Sequence, residues 1–302
     1  MRERIKEIII RYFVIAFISI AFPYIFTAIV TGRVASDKKE VFNNFSKKVM
    51  VEFETGIVTI DVNEYIEWVL AYRINDFSEY EMLKAQSVLI RTYIYKTMAD
   101  TNLINANELK LEYLSDAKQK ELWGDEYINV YNYILCAINE VEEKCVYYNE
   151  DLIYPYFHFV SNGKTRNSQK EEYVKSVDSG EDILATDFVS VKNVSIEEVN
   201  AAFSGTFTAN DVEILKRCDA DYVYSVRVGT KIYSGEDFAK NLGLASSCFY
   251  IEAQENAIKV TCKGKGHGFG MSLYGANKMA AAGKTFEEII SYYYRNIQIK
   301  SE

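Results

Sequence analysis

Five glycines fall within twelve residues, in the stretch "GKGHGFGMSLYG" from Gly264 to Gly275, and no other feature constrains the fold of this chain as much. Glycines at alternate positions permit positive φ and let backbone come close to a ligand or another strand. His267 lies at the centre of the run, with Gly266 and Gly268 on either side and Ser272 and Tyr274 following. The chain has two histidines in all. The other, His158, lies in "YPYFHFVSNGKT" together with Ser161, at the end of a predicted strand. Alternation turns Phe157 and Phe159 to one face of that strand and His158 to the other. Histidine is the side chain best suited to proton transfer near neutral pH. Taken alone, the glycine run fits a tight turn with a backbone-satisfied histidine as readily as it fits a site.

Composition excludes some partners. The 302 residues carry a formal charge of −9, whereas a nucleic-acid partner asks for a basic face. The 24 Tyr and 17 Phe suit a protein that lays flat apolar faces against something wet, such as a carbohydrate, although a coding bias would produce the same excess. Gly163-Lys164-Thr165 and Gly283-Lys284-Thr285 imitate a phosphate loop. The glycine required five residues before the second glycine is His158 in one and Lys278 in the other, so neither binds a nucleotide in that way. The glycine run also lacks dinucleotide-binding spacing. Five cysteines without a C-x-x-C pair give no zinc motif; Cys136 and Cys145 could bridge, while burial as small apolar residues is the simpler reading. No cofactor and no metal are implied.

Residues 12–30 are 19 positions without a charge, enough to span a membrane once. The expected organisation is a tail at 1–11, a transmembrane signal anchor at 12–30, a polar linker at 31–49 and one globular domain at 50–302. Strands and helices mix without a βαβ repeat, so the expected fold class is α+β behind a single N-terminal transmembrane helix. Asn63 reads as the cap of a short helix over 63–72. Ser78 to Glu81 reads as a capping box opening a helix to about Met98, and a further helix is expected over 115–142. On the 78–98 helix, Lys84 and Arg91 share one face and Gln86 and Tyr93 another; for the charged pair a solvated face is the simplest account. Hairpins are read at 149–151, at Gly229 and at Asn256. Ser234 opens a helix, and Thr285 to Glu288 is a second capping box after Gly283.

Three stretches together, "LKAQSVLIRTY" (83–93), "FHFVSNGKT" (157–165) and "GKGHGFGMSLYGANKMAAAGKTFEEIISYYY" (264–294), resemble the stage II sporulation protein D / LytB amidase-enhancer family, with "YVKSVDSGED" (173–182) a weaker fourth match. The resemblance covers roughly residues 50–300. It implies a domain on the outer face of the cytoplasmic membrane, acting on peptidoglycan during engulfment of the forespore. Sporulation members of that family are lytic transglycosylases that cut glycan strands stripped of stem peptides. They work with a partner amidase/endopeptidase and a membrane scaffold protein, whereas other members modulate an amidase. It makes Gln86, Arg91, Tyr93, His158, Ser161, Gly266, His267, Gly268, Ser272 and Tyr274 candidate walls of one glycan groove.

The sequence departs from that pattern where chemistry depends on it. The family's catalytic Glu aligns with Arg73, and Leu273 replaces a Gln. A lytic transglycosylase needs one group that protonates the departing oxygen and then takes a proton from the attacking hydroxyl. Arginine accepts nothing. Asp76 is the nearest substitute acid, with Glu79, Glu81 and Glu67 behind it. The alternative is a relative that binds glycan without cutting it, in which Arg73 holds anionic groups of the polymer.

Overall fold

The computed structural model describes residues 47–74 and 78–302. β1 (Lys48–Phe53) and β2 (Gly56–Asp61) make an antiparallel hairpin. Asp61 caps α1 (Val62–Arg73) by accepting the Asn63 N–H at 2.9 Å, two positions before the cap expected from sequence. α2 (Tyr80–Met98) follows, and β3 (Leu103–Asn105) returns parallel to β1. Asn105 and Glu108 box the start of α3 (Ala106–Leu109). In place of one helix over 115–142 there are two, α4 (Asp116–Trp123) and α5 (Tyr127–Glu140), divided at Gly124, which takes a positive φ.

The hairpin expected at 149–151 is β4 (Lys144–Tyr148) with β5 (Asp151–Leu152), turning on positive-φ Asn149 and Glu150. Beyond β6 (Phe157–His158) come β7 (Val189–Ser195) and α6 (Ile196–Phe203). Next is a meander of β8 (Val212–Arg217), β9 (Val223–Val228) and β10 (Lys231–Ser234), turning at Gly229. Ser234 caps α7 (Gly235–Asn241) as expected. β11 (Phe249–Ala253) and β12 (Ala257–Lys263) pair about Asn256, and β12 also pairs with β7. β13 (Met271–Ser272) lies parallel to β6. α8 (Leu273–Ala281) and the boxed α9 (Phe286–Tyr293) lead to β14 (Gln298–Ser301), which joins β4.

α2 is the central element. Of its residues, Leu83, Ile90 and Ile94 pack with α1 against Ile66, Leu70 and Ile138. Met82, Ala85 and Leu89 pack instead with Met271, Ile289, Tyr293 and Tyr294. A third core, around Val194, Val226, Phe238, Phe249 and Val260, belongs to the sheets and helices between residues 194 and 262. Burial on two faces explains why α2 hides polar side chains that an amphipathic surface helix would leave in water.

The expected fold class needs one correction. Among the described residues no helix is long and apolar enough to cross a membrane. α2 has sufficient length but carries Glu81, Lys84, Arg91 and Lys96. The 12–30 segment, on which the transmembrane helix was read, lies outside the described residues. What stands is a mixed helix-and-strand fold, compact over Lys47–Glu302. The capping box at Ser78 also fails to form. Glu79 is the N-cap residue and makes no side-chain cap, and Glu81 reaches across to accept the Phe286 N–H at 2.7 Å. All five cysteines are free, so Cys136 and Cys145 do not bridge.

Candidate functional site

The parallel pairing of β6 with β13 sets Met271 beside Phe157 and Ser272 beside His158. The glycine run can approach β6 this closely because it lacks side chains. A Cβ on Gly266, at φ +114, would sit 2.7 Å from His158 Cβ, and one on Gly268 would enter the Tyr222 ring. The imidazoles of His158 and His267 then come within 5.7 Å, centroid to centroid. Tyr156 and Phe269 border His267.

Neither histidine is placed for proton transfer at neutral pH. His158 is buried, and its Nδ1 lies 3.0 Å from the Phe269 carbonyl, so that nitrogen must carry the proton. Nε2 is then a bare acceptor, and it has no partner. Burial, with His267 adding to it, lowers the His158 pKa to about 3. His267 Nδ1 accepts the Phe269 N–H at 3.1 Å. Burial and the Arg166 guanidinium push His267 down to about 4. Both rings are therefore neutral at pH 7 and can orient polar groups but do not supply a cation.

Arg73 ends α1 on the opposite face of β6. Its guanidinium sits over Phe157 at 5.3 Å and Phe159 at 5.5 Å, the two rings that alternation turned away from His158. It is 7 % exposed, and Nε and Nη1 have no hydrogen-bond partner. Burial lowers its pKa, with Glu112 acting weakly against that. A buried guanidinium between two rings is held by cation–π attraction and has no means of taking up a proton. Asp76, the nearest substitute acid, lies outside the described residues.

Gln86 shares that face. Both its amide atoms are buried without a partner. They border a void among Leu89, Phe157, Met271 and Leu273 that has no room for water. Leu273 stands where the resembled pattern has Gln, so the amide faces methyl groups. Gln86→Met is expected to raise stability by about 1–3 kcal/mol, because it removes buried polar atoms that nothing satisfies. Urea denaturation of the variant beside wild type measures this.

The other candidates hold the scaffold together. Arg91 donates to the carbonyls of Val141 and Lys144 and to Asn63 Oδ1, tying α2 to α1 and to the turn before β4. Tyr93 donates to the Leu109 carbonyl at 3.0 Å. Ser161 Oγ accepts the Gly163 N–H, and Ser272 caps α8 by accepting the Gly275 N–H. Tyr274 is half-buried, with Lys278 over its ring. The candidate residues that cluster are thus His158, His267, Gly266 and Gly268, with Arg73 and Gln86 behind them across β6.

Three residues that the sequence reading did not single out complete the site. Asp182 is fully buried and accepts the Ser161 N–H at 2.7 Å. It also interacts with Ser272 and Ser179, and burial raises its pKa. It closes the stretch "YVKSVDSGED", whose match was the signal available for it. Arg166 pairs with Glu236 and donates to the His267 carbonyl at 3.3 Å. Nothing in the spacing of Arg166 and Glu236, seventy residues apart, foretells that pairing.

The histidine strand, the glycine turn and the long buried helix before them define a class of protein built around one polar, aromatic-walled site on a mixed scaffold. The family model described as SpoIID, Stage II sporulation protein, matches residues 53–148. Stage II sporulation protein D of Bacillus subtilis (strain 168) is 30% identical over 259 residues, which cover 81% of this chain and 76% of that protein. Its counterpart in Bacillus amyloliquefaciens is 29% identical over 259 residues, covering 81% and 75%. An uncharacterized protein of Brachyspira hyodysenteriae is 27% identical over 271 residues, covering 82% and 69%. The chain belongs to the stage II sporulation protein D family.

Proposed function

We propose that this sporulation protein binds peptide-free glycan strands of peptidoglycan without cutting them, and positions or stimulates a partner amidase/endopeptidase. In this reading it works outside the cytoplasmic membrane during engulfment, beside a membrane scaffold protein that holds both. One observation carries the choice between binding and cutting. The position of the family's catalytic Glu is a buried arginine packed between Phe157 and Phe159, not a carboxyl. The neutral state of both histidines supports it, since neither takes over as the acid.

The test is incubation of the full-length chain with stem-peptide-free glycan strands, with binding measured and 1,6-anhydro products sought by mass spectrometry. Binding without products is expected. Products that disappear in Asp76→Ala or another single carboxylate variant would overturn the non-cutting reading and restore a transglycosylase. The absence of both binding and products would sink each.

A further inference from the structure

A cavity of about 600 Å³ opens between the 166–170 loop and the β8–β10 meander. Tyr156, Tyr224, Tyr233 and Phe269 line part of it with flat rings, and Lys170, Glu236 and Ser234 add polar groups. Asn167 and Gln169 on the loop add exposed amides. A second cavity of about 190 Å³ lies alongside. Glu236 lines both, and His267 lines the smaller. Glu236, common to both linings, sets the two cavities side by side near the glycine turn, an extended arrangement that suits a polymer better than a single small molecule.

Arg166 holds Glu236, the residue the two cavities share. Arg166 is 5 % exposed, stacks over Phe269 at 4.3 Å and Tyr222 at 5.2 Å, and pairs with Glu236. Its Nε is buried and has no partner. A buried guanidinium with an idle donor costs stability that the fold does not need. It does fix the rings and the carboxylate that face the cavity.

We propose that this groove holds sugar rings of the glycan. The proposal rests on the glycan-binding reading above and adds the location. Pyranose rings present apolar C–H faces that fit aromatic side chains, while their hydroxyl and acetamido groups need amide donors and acceptors. Tyr224 and Phe269 supply the first, and Asn167 and Gln169 the second.

The experiment compares wild type with Tyr224→Ala for binding of soluble N-acetylglucosamine oligosaccharides and of stem-peptide-free strands, using the full-length chain. Tyr224 is 44% exposed, so its removal leaves the cores intact. Binding about tenfold weaker at unchanged melting temperature is expected, the loss of one stacking contact. Wild-type binding with less than about threefold change in Tyr224→Ala overturns the location and leaves the glycan reading standing. A wild type that binds no glycan overturns both. Should Tyr224→Ala not fold, Gln169→Ala on the exposed loop is judged by the same thresholds.

Discussion

Arg73→Glu is expected to release more 1,6-anhydro product from glycan strands than the wild-type protein does. The residue ends α1 and packs against Phe157 and Phe159 with 7 % of its surface exposed. A carboxyl placed there loses water and meets aromatic faces, so its pKa rises toward the range a general acid needs. It can donate a proton to a departing oxygen and accept one back, which a guanidinium never does. A positioned acid/base is worth about 10²–10⁴ in rate. The measurement is release of 1,6-anhydro products from stem-peptide-free strands, wild type against variant. A variant that folds, binds glycan and still releases nothing would show that losing the acid is not the only defect. The closure of Gln86 against Leu273 would then be next in line, and Leu273→Gln added to Arg73→Glu would test it.

The second large effect concerns stability, not catalysis. Glu67 is 2 % exposed on α1. Its Oε2 accepts Gln119 Nε2 at 3.0 Å, while Glu67 Oε1 and Gln119 Oε1 both lack partners. A proton on Glu67 turns Oε1 into a donor, and Gln119 Oε1 is the acceptor left over on the same amide. Burial pushes Glu67 from its ordinary 4.5 up to about 7, with Asp116 and Glu64 adding to the rise and the Gln119 hydrogen bond opposing it. The stability supplied by the neutral acid is complete below about 4.5, the unfolded value. It falls as pH rises and is gone above about 7, where the folded state also ionises. Glu67→Gln keeps the shape and cannot ionise. At pH 8 it is expected to be about 3 kcal/mol more stable than wild type, and at pH 4 the two are expected to match. Urea denaturation of both proteins at both values decides. An equal difference at the two pH values would mean that folding does not raise the Glu67 pKa.

Local features were legible in the sequence. The turn at Asn149 and Glu150, the Gly229 hairpin, the Ser234 cap and the Thr285 box all form as read. So does the outward and inward alternation of Phe157, His158 and Phe159. Each depends on a few neighbouring residues whose φ preferences and side-chain oxygens act at short range. The departure at Arg73 was visible too, because residue identity alone excludes proton acceptance there.

Partners distant in sequence were not legible. Lys84 and Arg91 read as a solvated face, yet α2 is packed from both sides and Arg91 is spent on carbonyls some fifty residues away. Glu81 read as half of a box with Ser78, but it caps the start of α9. Arg166, Glu236 and Asp182 entered the site only once the chain had closed on itself. Sequence by itself determined the turns, the Ser234 and Thr285 caps and the presence of an arginine at position 73, because these are set by residue type and local backbone. Tertiary structure alone decided which polar groups are buried, which are paired and where a groove remains, because desolvation and long-range pairing exist only after the cores form.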